Sequence, residues 1–413
     1  MSDSLHDIFL GRQPILDRNQ RIVAYELLFR SSGQSTGANV TNDMLATAHV
    51  ITRAFGELGI AGVLGDKKGF INISADLLLS DMIELLPQDK VVIELLETIQ
   101  VDAQIISRCR ELKAMGFSLA LDDFSGDSQF GPLFDIVEVV KFDLPQMGQE
   151  ALEKHVNHIK RWPVKLLAEK VEDIDQAIQC KGLGFDLFQG YYFARPVVLS
   201  GKHADSSKLM LLKLIGLVLD DADAPVIEQV FKHDPSLSYN LLRLVNSVAM
   251  GMRSRISSLR QAIVVLGRQQ LQRWLQLLLF VNPGGDLQNP LLELAATRGK
   301  LMELLAMAQS ERDKDHHDRA FMTGIMSLLD TLLGMPMEEV VKQVSLASDV
   351  ENALLNHEGE LGNLLLLVEK MERNDFHAAE GLLADMQLNL GNLMQAQIEA
   401  MSWAHMLNET AED

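Results

Sequence analysis

The sequence predicts an α/β barrel of eight strands with an antiparallel opening strand, followed by an all-α domain. Three observations carry that prediction. Strand-like and helix-like hydrophobic periods alternate through the first 200 residues. A polar turn, Asp17-Arg18-Asn19-Gln20, joins the first two strand-like runs as a hairpin. From about Lys208 onward the pattern is Leu-rich helical periodicity with no convincing strand.

The eight runs are Ile8–Leu16, Ile22–Phe29, Gly69–Ser74, Lys90–Leu96, Phe117–Leu121, Val137–Phe142, Val164–Ala168 and Phe185–Phe188. Helical patterns lie between most of them. One runs from about Thr41 to Leu58, with Leu45, Ala48, Ile51, Phe55 and Leu58 on one face. Another covers Ala103 to Met115 and ends at Gly116, a favourable C-cap residue. The barrel is assigned to residues 1–200, a small polar linker to Gly201–Ser207, and the helical domain to 208–413. Inside that domain Asp234-Pro235 suits a helix start, and Asn282-Pro283-Gly284-Gly285 marks a break. The 19 methionines read as helix packing rather than cofactor ligands.

Composition narrows the function classes. The 413 residues carry 37 basic and 57 acidic side chains, a net charge of −20, which argues against a broad nucleic-acid footprint and hence against direct DNA binding. It leaves room for a small anionic ligand, because a metal ion and a few cations can reverse the field inside one pocket. With only Cys109 and Cys180, a disulfide framework is not expected. Met1 to Asp7 contains no Lys or Arg, unlike a secretory signal. Apolar runs such as Leu275–Val281 and Leu364–Val368 are too short to span a bilayer. The expectation is a cytoplasmic protein without a membrane partner.

Chemistry concentrates where a parallel barrel places it, at the C-terminal ends of strands. In order, those ends bear Glu26, Asn72, Glu94, Asp122 with Asp123, Lys141 with Asp143, Glu169, and Gln189. Singly, such residues are turn or cap residues, and Lys141 is an exposed strand-end lysine. Together, unpaired acids over one barrel mouth repel and are costly to desolvate. A divalent cation resolves that conflict. Oxygen donors without cysteine or histidine point to Mg²⁺ or Mn²⁺ rather than zinc. A metal held there suits a phosphodiester.

Taken in order, these motifs resemble the EAL family of cyclic di-GMP phosphodiesterases, in its short EAL–HDOD form found in bacterial signalling proteins. Gln13-Pro14-Ile15 resembles the opening strand, and Glu26-Leu27-Leu28-Phe29-Arg30 stands where the naming motif belongs. Asn72-Ile73-Ser74, Glu94-Leu95-Leu96-Glu97, Asp122-Asp123-Phe124, Lys141-Phe142-Asp143, Ala168-Glu169-Lys170-Val171-Glu172 and Gln189-Gly190 follow in the family's order, over roughly Ile8 to Pro196. The resemblance implies that Glu26, Asn72, Glu94 and Asp122 hold a first metal and that Asp122 with Asp123 reaches a second. It implies catalytic roles for Glu169, as base or ligand, and for Lys141. Gln13, Arg30, Asp143 and Gln189 fall to substrate binding, and Glu97 and Glu172 to loop anchoring. Three departures stand out. Ser125-Gly126-Asp127-Ser128-Gln129-Phe130 replaces a Gly-Thr-Gly-Tyr-like loop that couples metal binding to dimerisation, Leu96 replaces a Thr, and Lys170 replaces a Gly.

Asp234-Pro235-Ser236-Leu237-Ser238, Leu241 to Asn246-Ser247, and Ile256 to Gly267 resemble the HDOD domain, a helical relative of the HD phosphohydrolases. Two His-Asp pairs occur, His233-Asp234 and His317-Asp318, and both read as solvated or capping features. The apolar Phe321 to Leu333 helix has no histidine, so metal chemistry is not expected in this half. Its expected role is regulation or recruitment of a protein partner that the sequence does not name, and a homodimer stays open. Besides a phosphodiesterase, a non-catalytic cyclic di-GMP receptor or scaffold fits. A Schiff-base aldolase with Lys141 as nucleophile fits the fold but not the surplus of acids. No synthase-like segment is present.

Overall fold

Eight strands close into a barrel in sequence order: β1 (Ile8–Asp17), β2 (Ile22–Ser31), β3 (Lys68–Ile73), β4 (Val91–Leu95), β5 (Ser118–Leu121), β6 (Val139–Asp143), β7 (Lys165–Glu169) and β8 (Leu187–Phe188). A computed structural model describes residues 8–31, 64–190, 206–232, 259–280, 290–344 and 346–409. The chain divides into two compact units, Met1–Ala194 and Arg195–Asp413. Strand β1 is antiparallel to both β2 and β8, and every other pairing is parallel. The opening hairpin is therefore the irregular feature of an otherwise regular barrel.

Helices α1 (Ala75–Leu78), α2 (Ala103–Met115), α3 (Gln149–Ile159) and α4 (Ile174–Leu183) connect the strands. Two are delimited by local chemistry. Asp102 caps α2 by accepting from Ile105 N at 2.9 Å, and Gly116 ends it at φ +106°. Asp173 and Gly184 do the same for α4. Cys109 on α2 and Cys180 on α4 are buried and unpaired. Burial pushes their thiols up to about 12 and about 11. Both should therefore resist iodoacetamide in the native protein at about pH 8 and react once denatured. Rapid native modification, read by mass, would contradict that burial.

The core explains the site. One apolar layer fills the lumen with a residue from each strand: Ile15, Ala24, Phe70, Val92, Ala120, Val139, Leu167 and Leu187. Side chains alternate faces with period two. The next inward layer therefore lies two residues further along the seven parallel strands, and two residues back along antiparallel β1. Those eight positions are Gln13, Glu26, Asn72, Glu94, Asp122, Lys141, Glu169 and Gln189. Not all are strand ends: β2 continues past Glu26 against β1, and Lys141 is the middle residue of β6.

The second unit is helical: α5 (Ser206–Leu219), α6 (Ala224–Lys232), α7 (Leu259–Leu278), α8 (Pro290–Gln309), α9 (Lys314–Met326), α10 (Leu329–Leu333), α11 (Met337–Val341), α12 (Ser348–Asn356), α13 (Gly359–Glu372), α14 (Phe376–Asp385) and α15 (Leu390–Glu409). Helix α5 starts at Ser206 and takes the last two residues of the expected linker into regular structure. Helix α7 breaks at Gly267, which lies at φ +69°. Helices α8 and α9 meet backbone to backbone at Gly299 and Gly324. A Cβ on Gly324 would lie 2.7 Å from Gly299 Cα.

Two expectations are corrected. The Phe321–Leu333 segment is two helices, because Ser327 ends α9. The His317-Asp318 pair is not solvated. Asp313 caps α9, His316 and His317 are buried, and Asp318 pairs with Arg273. Glu311 to Asp315 are exposed, so the hydrophilic composition of the run hides the burial that begins at His316. The 41–58 helix, the linker's first five residues, His233-Asp234, Asn246-Ser247 and the 282–285 break lie outside the described residues. Among those described, no helix is long and apolar enough to cross a membrane.

Candidate active site

The polar layer brings five charges together. Lys141 Nζ lies 2.6 Å from Glu94 Oε1, 2.8 Å from Asp122 Oδ1, 2.9 Å from Glu169 Oε1 and 3.5 Å from Glu26 Oε1. The lysine is 0% exposed, which rules out an exposed strand-end side chain. One ammonium cannot neutralise four carboxylates, and desolvation makes the residue of negative charge expensive. The proton affinities record this. Burial first, then Glu26 and Asp122, raise the Glu94 carboxyl well above its usual range, with Lys141 opposing. Burial, then Asp122 and Glu26, push Glu169 up to about 8 against the same lysine. Burial alone would lower Lys141, but the surrounding acids outweigh it and raise it.

Asn72 gives an independent measure of what the ring accepts. One end of its amide faces Glu94 Oε2 and Asp122 Oδ2, 3.3 Å from each. As nitrogen it donates to both. As oxygen it is a third acceptor, an arrangement that a bound cation would satisfy. The donor set is oxygen throughout, which matches a hard divalent ion.

Backbone turns aim the remaining groups. Asp122 N donates to Leu95 O at 3.0 Å and Phe124 N to Lys141 O at 2.9 Å, with Asp123 between them at φ +43°. Glu97, Asp122 and Asp123 bring carboxylate oxygens within 4.8 Å of one another. Burial, with Asp122 and Asp143, raises the Asp123 carboxyl. Gln189 Nε2 donates to Glu26 Oε2 at 2.6 Å and to Gln13 Oε1 at 2.8 Å, which fixes the orientation of the Glu26 carboxylate. Gly190 permits this at φ +145°. A Cβ there would sit 2.2 Å from Val171 N and 2.6 Å from Val171 O. Gly190→Ala should cost about 2 kcal/mol or more, read as a lowered melting temperature; an unchanged melt would contradict the contact.

The departures from the family pattern are now visible as contacts. Lys170, at φ +54°, pairs with the buried Asp143, which also accepts from Gln146 at 2.6 Å. The Ser125–Phe130 segment packs through Phe124, whose ring meets Phe130, Phe134, Phe142 and His155 edge to face. Gly126, at φ +99°, is pressed so close to His155 that a Cβ would lie 2.1 Å from the ring. Gln129 Oε1 accepts from Val101 N at 3.3 Å. Glu97 and Glu172 are both exposed, and Glu172 meets its loop through its backbone N–H, donated to Gln176 at 2.8 Å. The Arg30 side chain lies outside the described residues. His155 and Gln146 were not foreseen, and neither stands in a motif that would single it out.

Comparison with known proteins gives matches to both parts of the chain. The EAL domain profile matches residues 6–196 and the HDOD domain profile residues 210–356. The chain is 31% identical over 412 residues to the cyclic di-GMP phosphodiesterase CdgJ of Vibrio cholerae, covering 98% of this chain and 94% of that protein. It is 31% identical over 409 residues to the uncharacterised protein YuxH of Bacillus subtilis, covering 97% and 98%. Among solved structures, an EAL domain protein from Listeria monocytogenes aligns at 24% identity with a TM-score of 0.38, covering 47% of this chain and 93% of that one.

Proposed function

We propose that this chain, which belongs to the EAL family and carries an HDOD domain after its barrel, is a metal-dependent phosphodiesterase that opens cyclic di-GMP to the linear dinucleotide. The observation that carries the reading is the polar layer, in which four carboxylates and an amide surround one buried lysine. Glu26, Asn72, Glu94 and Asp122 are the residues to hold one Mg²⁺ or Mn²⁺, with Asp122 and Asp123 reaching a second. When bound, such ions offset phosphate charge and lower the pKa of water.

The chain's own groups do the rest. Glu169 takes a proton from the attacking water. Lys141, fixed by the acids around it, orients that water and offsets charge developing on the phosphate. Gln189 holds Glu26 in place and is itself bonded to Gln13, and substrate binding falls to Gln13, Gln189, Asp143 and Arg30. Glu97 and Glu172 anchor their loops. The HDOD unit regulates or recruits a protein partner, and a cytoplasmic setting fits a soluble nucleotide substrate.

Incubation of the purified protein with cyclic di-GMP and Mg²⁺ or Mn²⁺ should yield linear product, with Glu26→Ala slower by about 10²-fold or more. No product above that variant would sink the phosphodiesterase reading. A receptor is favoured by one contact, the Lys170–Asp143 pair, which places a protein cation against a substrate-binding acid. Calorimetric binding of cyclic di-GMP with Ca²⁺, alongside no product with Mg²⁺ or Mn²⁺, would select it.

A further inference from the structure

The helical unit contains a cavity of about 320 Å³ bounded by α7, α8, α9 and α15. Its volume is at the lower end of small-molecule sites, about 300–1,000 Å³. Three aromatic side chains line it: Trp274, Phe321 and Trp403. Phe321 and Trp403 meet edge to face, with centroids 5.9 Å apart. The Arg273 guanidinium lies over the Phe321 ring, 4.6 Å from its centroid. Glu303 at 2.5 Å and Asp318 pin that guanidinium, so it is a fixed planar platform rather than a free cation.

One donor in this wall is not fully used. Lys300 gives one bond to Glu303 at 3.0 Å, and an ammonium has three donors. Aromatic walls and a lysine with spare donors suit a guest with a π face and a negative charge.

We propose that this cavity binds a planar heteroaromatic anion of about the size of a nucleoside monophosphate. The ring system lies against the tryptophans and the guanidinium platform, and the anionic group reaches Lys300. Nothing in the barrel takes part, so the site stands whether or not the barrel hydrolyses cyclic di-GMP.

Fluorescence provides the test, because two of the three tryptophans line the cavity and the third, Trp162, belongs to the barrel unit. The full chain carrying Trp162→Phe, stripped of divalent ions with EDTA, is titrated with GMP and with AMP up to about 1 mM. At least one nucleotide should quench the emission saturably, and inorganic phosphate should not. Lys300→Gln should weaken the response about tenfold or more, the loss of a charge-assisted hydrogen bond. Trp403→Leu should weaken it as well while the far-ultraviolet helical signal is retained. The proposal is overturned if neither nucleotide quenches, if phosphate alone reproduces the change, or if Lys300→Gln binds as the parent does.

Discussion

Lys141→Met should produce two effects with opposite responses to metal. The first is on stability without divalent ions. The ammonium is the common partner of Glu94, Asp122, Glu169 and Glu26, and it is wholly buried. Removing one partner of a buried ion cluster typically costs about 3–5 kcal/mol. In a unit of this size that lowers the melting temperature by on the order of 10 °C. Protonation of Glu94 and Glu169, both already held above their usual range, limits the loss without cancelling it. Under the proposed function, Mg²⁺ or Mn²⁺ should restore most of the stability, because bound ions take over the charge that the lysine balanced. The second effect is on turnover, which should fall about 10²–10³-fold and not recover with metal. A variant that melts like the parent in EDTA would show that the four acids do not depend on Lys141. One that is stabilised by metal and still turns over normally would remove the lysine from the chemistry.

Most of this layer was legible because strands have period two and a parallel barrel presents strand ends to one mouth. Glu94, Asp122 and Glu169 stand at the ends of apolar runs, where a polar residue is conspicuous. Gln13 is harder to read from spacing, since β1 runs the other way and its inward residue precedes the apolar one. Family resemblance supplied it, and the register explains it. Lys141 reads from sequence as a strand end but stands in the middle of β6, and its zero exposure is not readable, because burial of a lysine depends on four partners outside its own strand. The loop after Asp123 shows the opposite limit. Its sequence departs from the family pattern, yet Phe124 and the Gly126–His155 contact still order it. His155 comes from α3, and no local signal in Ser125–Phe130 announces it. In the helical unit the same cause applies to His317-Asp318. Asp318 pairs with Arg273 of α7, a partner that no local pattern shows, while His317 turns back to the Ser310 carbonyl just before the run.

Arg298→Met should be the most damaging single change in the helical unit. The side chain is 2% exposed on α8 and reaches two other segments. Its Nε and one terminal nitrogen donate to the two Glu372 oxygens at 3.0 and 2.5 Å, and the other donates to Ser327 Oγ at 2.6 Å. Glu369 lies 3.8 Å away. Burial alone would lower the affinity of this guanidinium for its proton, but Glu372, Glu369 and Asp330 outweigh it. Methionine fills much of the volume, so the loss is of charge and bonding rather than of packing. Glu372, a partly exposed acid, then loses both of its bonds, while Glu369 keeps His357 at 3.3 Å and Arg373 at 3.9 Å, so the cost is about 3 kcal/mol. A thermal melt followed by helical circular dichroism should shift down by on the order of 10 °C. If the Glu372 carboxylate is the cause, Arg298→Met with Glu372→Gln should recover about half of that loss, since a neutral amide is cheaper to bury than an unpaired charge. Arg298→Lys should fall between, keeping the charge but losing the two-point fork on Glu372. If the double variant melts no higher than Arg298→Met, the damage lies in packing at the Gly299–Gly324 crossing beside it, and the electrostatic account of this clamp fails.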